Sequence, residues 1–392
     1  MSSPRDSQLD CVVVGASFAG LACAATLARA GTRVKVLERK ADAGDALHTT
    51  GIIVKDAVDQ IALLDELPSG LVRRITGVRL YAPNLRHVDL AAPGYYFLAT
   101  DTPNVMRWLA ERAQQAGAQV AYRSPFREAR RERSGFDLGD FGHARFLVGA
   151  DGPHSPVARS LGLGENRKYL FGIEHEYAGT DIADLDKLHC FVSRRLAPGY
   201  IGWVMAGVGI VQVGLARRIG ADGFNPKAAM ASFLDHIAPH FDFRALRPDA
   251  IRAGKIPCGG VVSPVATHRA LLVGDAAGMV SPVTAGGIHT ALKHGLAAGH
   301  AIADFLDGRR GDPADWFVAS YPRFRTKRAL RFLFDHFQSD AAFNLLLGTP
   351  PMRTAAGIVY FHHKGVFDPA ETMAADASPA TNSRPALQER PD

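Results

Sequence analysis

The chain has 392 residues, of which 47% are hydrophobic and 8% aromatic, and its formal net charge is +6. This length allows two joined domains with cores of their own, and no apolar run reaches the length that crosses a bilayer. The N-terminal residues are polar without a signal-peptide core, so we expect a cytoplasmic protein. The four cysteines lack metal-ligand spacing, and no nucleic-acid motif accompanies the positive charge, so we predict neither a metal site nor a nucleic-acid partner.

The first elements form a pattern typical of dinucleotide-binding proteins. A buried strand over Cys11 to Val14 runs into a glycine turn, and a helix of small residues over Leu21 to Ala30 follows. The N-terminus of such a helix presents free N–H groups and the positive end of the helix dipole to a pyrophosphate. Gly15, Ser17 and Gly20 take the three positions that approach the phosphates. Serine replaces the usual middle glycine, which narrows the space and adds a hydroxyl donor.

The second strand, Thr32 to Leu37, ends at an acidic residue, Glu38. A carboxylate there can accept hydrogen bonds from both hydroxyls of an adenosine ribose, which favours FAD or NAD over a 2′-phosphorylated cofactor. Arg39 follows directly and is included among the predicted cofactor contacts. The alternative for this unit is an ordinary strand, turn and helix without a ligand.

The middle of the chain carries weaker patterns. Residues Thr50 to Leu67 predict loop and helix, and alternation over Val72 to Leu98 predicts strands that leave the first domain. A helix is predicted over Val105 to Gln115, and a strand over Phe146 to Ala150 returns the chain to the first sheet. This strand ends at Asp151, which taken alone is explained by a turn that an aspartate stabilises.

Strand patterns recur from Phe171 to Ala216, and Lys227 to Ala238 predicts a helix. We expect these strands to form a sheet that covers a substrate cavity. Tyr200 and Trp203 either line an apolar pocket in this sheet or fill the core between domains. Since residues three apart on a strand point to opposite faces, we expect at most one of them, Tyr200, to face a substrate.

A distant segment completes the predicted cofactor site. A strand over Ala270 to Gly274 ends in an aspartate, placed where a carboxylate could meet ribitol hydroxyls. Paired glycines then open a helix over Ile288 to Phe305, whose N–H groups would point at the pyrimidine edge of an isoalloxazine, where charge accumulates on reduction. An ordinary N-cap is the alternative for the aspartate, but it would not require the paired glycines. The predicted contacts here are Asp275, Pro282, Gly286, Gly287 and Ile288.

The last part, Trp316 to Phe367, predicts helices broken by Gly348 to Pro351. Residues Arg323 to Phe334 mix arginines with apolar residues. Two interpretations are open: a late helix that packs its apolar face on the protein, which we favour, or a helix that touches an anionic membrane surface. Residues after Pro369 have little to bury and predict a disordered tail.

These segments resemble the FAD-dependent family typified by para-hydroxybenzoate hydroxylase. The resemblance is narrower to its geranylgeranyl reductase branch, through Gly274 to Gly278, Ser281 to Ile288 and the strand Pro198 to Ala206. In that strand, Met205 and Ala206 stand where the branch usually has Phe-Pro. The resemblance implies that Arg107 reaches the phosphates or ribose of FAD and that the turn at Asp151 serves flavin and NAD(P)H. It also implies electron supply by NADH, NADPH or a reduced ferredoxin-like carrier.

The fold predicted from the resemblance is α/β: a Rossmann-like FAD-binding domain, an inserted and mainly antiparallel substrate domain, and a C-terminal helical segment. The FAD-binding domain is discontinuous, over residues 9–70, 101–165 and 266–325. Residues 71–100 and 166–265 form the substrate domain. Residues 326–368 form the helical segment, and 369–392 the tail.

The function implied by the branch is reduction of a carbon–carbon double bond in an isoprenoid or similar hydrophobic substrate. Two alternatives are open: an NAD(P)H-dependent flavin monooxygenase that hydroxylates an aromatic or polyketide substrate, and a flavin-binding protein without catalysis. His48 occupies the loop that commonly approaches the flavin in this fold, so it is a candidate proton donor or base, or else a surface histidine. Tyr200 is the other catalytic candidate, and Tyr200 and Trp203 are the candidate substrate contacts.

Overall fold

The computed structural model describes residues 9–219 and 224–361, and these form eighteen strands and ten α-helices. The strands are β1 (Leu9–Val14), β2 (Val34–Leu37), β3 (Ile52–Val54), β4 (Val72–Ile75), β5 (Gly77–Tyr81), β6 (His87–Ala91), β7 (Phe97–Thr100), β8 (Gln119–Ala121), β9 (Arg130–Glu132), β10 (Gly135–Asp137), β11 (His143–Gly149), β12 (Tyr169–Ala178), β13 (Lys187–Val192), β14 (Ile201–Ala206), β15 (Ile210–Arg218), β16 (Ala250–Pro257), β17 (Ala266–Thr267) and β18 (Ala270–Leu272). The helices are α1 (Phe18–Arg29), α2 (Lys55–Gln60), α3 (Thr102–Gln115), α4 (Pro156–Leu161), α5 (Pro226–Ile237), α6 (Ile288–Leu306), α7 (Pro313–Trp316), α8 (Arg325–Phe337), α9 (Asp340–Leu346) and α10 (Pro350–Phe361).

The first sheet is built around five parallel strands in the spatial order β18, β11, β1, β2 and β8. The carboxyl-terminal part of β1 is apolar and buried, as a parallel strand covered on both faces must be. Helix α1 makes the crossover from β1 to β2 and packs closely on α6. A Cβ on Gly295 of α6 would lie 2.3 Å from the carbonyl oxygen of Ala19, so glycine is what lets the two helices touch.

The second sheet has seven strands in the order β16, β12, β15, β14, β13, β5 and β6, and only the β13–β5 pair is parallel. One face is covered by α5, through an apolar cluster that includes Phe233. The opposite face, which we call the inner face, carries Cys190, Trp203 and Met205, which pack with side chains of the third sheet. This arrangement confirms the predicted combination of a Rossmann-like core with a mainly antiparallel sheet.

The third sheet has the order β3, β7, β4. The helix predicted within Thr50 to Leu67 is present as α2, but Ile52–Val54, predicted as loop, pair with β7 as a strand. Three residues are too few to show the alternation that identifies a strand in sequence. The proposed domain boundaries stay predictions.

The C-terminal region is helical, as predicted, with α9 ending at Leu346 and α10 beginning at Pro350. The interpretation that the basic helix packs its apolar face on the protein is wrong, because Leu333 and Phe337 of α8 are exposed. Helix α8 instead turns polar side chains, such as Arg331, toward the protein. Residues 362–368 of the predicted helical segment and the predicted tail at 369–392 lie outside the described residues. Within the described ranges, no helix has the length and apolar character to span a membrane.

Candidate functional site

The carboxyl ends of four parallel strands bring the predicted cofactor residues together. Strand β1 is paired in register with β2 and β11, and β11 is paired with β18. The residues that follow these strands therefore meet at one edge of the sheet: Gly15 after β1, Glu38 after β2, Asp151 after β11 and Asp275 after β18. This edge is where open α/β sheets bind their ligands.

In the glycine turn after β1, neighbouring backbone lies so close to Gly15 and Gly20 that neither position has room for a side chain. Gly15 has a φ of +103°, and a Cβ on it would lie 2.4 Å from the carbonyl oxygen of Ala150. A Cβ on Gly20 would lie 2.1 Å from the carbonyl oxygen of Gly15. The Ser17 hydroxyl accepts the Gly20 N–H at 3.2 Å and caps α1, which leaves its own proton to donate. The turn therefore delivers the N-terminus of α1 to the sheet edge.

Glu38 is held against this turn by the backbone. Its buried carboxylate accepts the N–H of Ala16 at 2.8 Å and the N–H of Lys40 at 2.9 Å. The remaining lone pairs of the two oxygens are available to ribose hydroxyls. Arg39 is exposed beside it.

Arg107 lies on α3 near the loop that follows Glu38. Its Nε donates to Asp42 at 2.7 Å and its Nη1 donates to Asn104 at 2.9 Å. The pair with Asp42 is half-exposed, so it contributes little to stability. The contact between Arg107 and FAD stays a prediction.

Asp151 stabilises the turn in which it lies. Its Oδ2 accepts the Val157 N–H at 2.9 Å at the start of α4. Its Oδ1 is buried and accepts no hydrogen bond from the described residues, and burial raises the pKa of the carboxyl group. Asp151 therefore supports the start of α4, whose N-cap is Ser155, and keeps one oxygen without a partner among the described residues.

Asp275 lies beside the N-terminus of α6. A Cβ on Gly287 would lie 3.6 Å from its Oδ1. Burial raises the pKa of Asp275 to about 6. Gly287 is the N-cap of α6 and no side chain caps this helix, so the first N–H groups, from Ile288 onward, have no side-chain acceptor. The turn before them is closed by the N–H of Ser281, which donates to the carbonyl of Gly286 at 3.1 Å.

The two catalytic candidates lie at different ends of the inner face. A Cβ on Gly254 of β16 would lie 2.9 Å from the Cβ of His48, and burial is the main cause of the lowered pKa of His48. Tyr200 precedes β14, and its hydroxyl donates to the carbonyl of Thr284 in the loop before α6, the loop that also contains Pro282. Strands β12 and β15 lie between β16 and β14, so His48 and Tyr200 are not in contact.

The expectation that Tyr200 and Trp203 point to opposite faces is wrong. Both pack in the same apolar cluster on the inner face. Strand β14 begins at Ile201, so Tyr200 lies outside the strand and the alternation does not reach it.

A buried polar cluster on the inner face was not predicted from the sequence. Glu174, only 4% exposed, accepts hydrogen bonds from the Thr50 hydroxyl at 2.7 Å, Trp203 Nε1 at 2.8 Å and Gln212 Nε2 at 3.1 Å. The bond from Thr50 holds the loop that contains His48 against the second sheet. The signal in the sequence is two carboxylates, Glu174 and Glu176, that alternate along an otherwise apolar strand.

Glu174→Gln should lower the free energy of unfolding by about 1–3 kcal/mol, because the amide turns donor hydrogens toward groups that themselves donate. Chemical denaturation of the purified protein measures this change. The same substitution at exposed Glu128 is the control and should change stability by less than about 0.5 kcal/mol. Equal effects at the two positions would show that the Glu174 bonds contribute nothing.

Comparisons with known proteins identify the family. The FAD binding domain model matches residues 8–333. A digeranylgeranylglycerophospholipid reductase 2 from Methanopyrus kandleri is 31% identical over 315 residues, which are 76% of this chain and 78% of the relative.

Two solved structures share the fold. A geranylgeranyl bacteriochlorophyll reductase-like protein from Thermoplasma acidophilum superposes with a TM-score of 0.78 at 18% identity, over 91% of this chain and 98% of that one. PqsL from Pseudomonas aeruginosa, a probable FAD-dependent monooxygenase, gives 0.67 at 18% identity, over 87% and 100%. The resemblance to the geranylgeranyl reductase branch is confirmed. The chain therefore belongs to the FAD binding domain family and is an FAD-dependent oxidoreductase.

Proposed function

We propose that this protein uses FAD to reduce a carbon–carbon double bond of an isoprenoid or similar hydrophobic compound. The observation that carries the proposal is the 31% identity to a digeranylgeranylglycerophospholipid reductase over 76% of the chain. The bound flavin would supply hydride chemistry. NADH, NADPH or a reduced electron carrier would supply its electrons.

The residues proposed to hold FAD surround the edge of the parallel sheet. The N-termini of α1 and α6 would face the pyrophosphate and the pyrimidine edge, where negative charge is favoured. Glu38 would accept the ribose hydroxyls, and Asp275 with the free oxygen of Asp151 would accept other hydroxyls of the cofactor. The unpartnered Oδ1 of Asp151 and the uncapped N-terminus of α6 fit such a ligand.

The inner face of the second sheet is the proposed substrate surface. Its apolar side chains, among them Trp203 and Met205, would exclude water from the prenyl chain. Tyr200 joins this face to the loop before α6. Burial raises the pKa of Tyr200, which makes its hydroxyl a poor acid. The proton for the second carbon is assigned to His48, which lies against Gly254 of β16 on the inner face.

The test is anaerobic mixing of the reduced, flavin-loaded protein with a geranylgeranyl lipid. Flavin reoxidation together with a product two hydrogens heavier is expected. A panel of phenolic and aromatic compounds in aerated buffer is run in parallel. A hydroxylated product that forms only with oxygen would replace the proposal with the monooxygenase alternative. Flavin that is never reoxidised by a prenyl compound would remove the isoprenoid assignment.

Tyr200→Ala should retain bound flavin and lower kcat/KM for the prenyl substrate about tenfold or more, because the part of the proposed substrate surface next to the loop before α6 is lost. Tyr200→Phe separates the ring from the hydroxyl that donates to Thr284. Steady-state kinetics and the visible spectrum measure both variants. Normal kinetics in Tyr200→Ala would remove this residue from the site.

A further inference from the structure

Helix α8 has its apolar residues on the side away from the protein. Its four large apolar residues with the highest exposure are Leu330 (48%), Phe332 (59%), Leu333 (51%) and Phe337 (74%). Leu330, Leu333 and Phe337 are spaced so that they share one side of a helix. We call the side that carries these three residues the outward face of α8; Phe332 is exposed as well. The next helix, α9, also exposes Leu345 and Leu346.

The side of α8 that faces the protein is polar. Arg331 is 6% exposed, and its guanidinium pairs with Asp335 at 3.0 Å and donates to the carbonyl of Pro282 at 3.4 Å. Arg218 of β15 pairs with the same carboxylate. The backbone N–H of Gly199 donates to Gln338, just after the helix, at 2.7 Å. These bonds fix the orientation of α8, so the exposed apolar face is built into the packing of the helix.

The unpaired charged side chains that α8 and the residues just before it expose to solvent are positive. Arg323, Arg325 and Arg328 are exposed around the start of the helix. Asp335 is the one carboxylate in residues 323–337, and it is paired with Arg331 and Arg218. The exposed part of residues 323–337 therefore combines the apolar side chains of the outward face with arginines, and it contains no unpaired carboxylate.

We propose that the outward face of α8 docks on the surface of a bilayer that contains anionic phospholipid. Leucine and phenylalanine beside arginines are the composition of a helix that lies in the membrane interface. The cations complement lipid phosphates, whereas a protein partner would need its own acidic and apolar counterpart. This inference does not depend on the proposed reaction, since the surface is formed by residues 323–337, which include none of the proposed site residues.

Docking would bring the bilayer close to the substrate site. Arg331 touches the loop that contains Pro282, and Gln338 touches the turn that leads to Tyr200. Both elements border the inner face. A membrane at α8 therefore lies next to the apolar surface on which the prenyl chain is proposed to bind.

The test is flotation of the full chain, without substrate, with vesicles of phosphatidylcholine alone or mixed with phosphatidylglycerol. Binding to the mixed vesicles is expected, and the pair Leu333→Ser and Phe337→Ser should weaken it at least tenfold. The pair Arg325→Gln and Arg328→Gln should weaken binding to the mixed vesicles about fivefold per charge and leave binding to phosphatidylcholine unchanged. The matched control changes two exposed residues elsewhere, Leu246→Ser and Ile251→Ser, and should bind normally.

Three outcomes would overturn the proposal. One is a full chain that floats with neither vesicle. Another is an equal loss of vesicle binding in the control pair, which would show that exposed apolar residues anywhere on the protein contribute to binding as much as those of α8. The third is self-association, detected by sedimentation velocity, that the α8 pair abolishes in protein that does not bind vesicles. Circular dichroism of each variant separates loss of docking from loss of folding.

Discussion

Gly15→Ala is expected to abolish FAD binding, with at least about a hundredfold loss of affinity. The added Cβ would lie 2.4 Å from the carbonyl oxygen of Ala150, a distance at which one of the two strand ends must move. The turn that aligns the N-terminus of α1 with the pyrophosphate is then displaced, and an error of about 1 Å is enough to misplace its N–H groups. Flavin fluorescence on titration with FAD measures the affinity directly.

Gly117→Ala is the matched control for this substitution. Gly117 has a φ of +108°, close to that of Gly15, but a Cβ there would meet nothing within 4 Å. Both variants carry the same backbone strain, about 1–3 kcal/mol, and only Gly15→Ala adds the collision. Flavin affinity should therefore be normal in Gly117→Ala. Equal flavin affinity in the two variants would contradict the assignment of Gly15.

Folding failure could imitate loss of cofactor binding in Gly15→Ala. Glu38→Ala separates these effects. It adds no atom to the glycine turn and removes the carboxylate that is proposed to bind the ribose. A loss of flavin with an unchanged circular dichroism spectrum is expected. A Glu38→Ala protein with full flavin would remove the ribose contact from the site.

The parts of the fold that sequence predicted are those encoded locally. The apolar strand, the glycine turn and the acidic residue at Glu38 lie within 30 residues, and each has a physical requirement that few residue types meet. The role of Asp151 came from the resemblance, and that of Asp275 from a strand that ends in aspartate before paired glycines. The register of β1, β11 and β18 supports both. The Cβ contacts of Gly15 show why the turn after β1 and the end of β11 must be close.

The parts that sequence could not give depend on contacts between distant segments. Glu174 accepts hydrogen bonds from Thr50 and Gln212, which are far from it in sequence. Nothing in the residues around Glu174 predicts that the fold brings these donors to it. The orientation of α8 is a similar case. Its apolar residues predict burial by the usual rule, and only the bonds of Arg331 to Asp335 and Pro282 show that the polar side faces the protein.

Asp275→Asn should weaken FAD binding about 10- to 100-fold and, at neutral pH, stabilise the protein that has no flavin. The first effect follows because the carboxylate proposed to accept cofactor hydroxyls loses its charge. The second follows from burial, which raises the pKa of Asp275 to about 6. The folded, flavin-free state thus holds this proton more tightly than the unfolded chain does. Its free energy of unfolding must fall as the pH rises from about 4 to about 6, and must stay low above that.

Asparagine has no proton to lose, so the variant should lack this fall. At pH 7 the free energy of unfolding of the variant should exceed that of the parent protein by about 3 kcal/mol, and the difference should vanish near pH 4. Urea unfolding of both flavin-free proteins across this range measures the two profiles. Parallel profiles would mean that the pKa of Asp275 is not raised in the folded protein. A variant that gains stability and retains full flavin affinity would mean that the Asp275 carboxylate does not hold FAD.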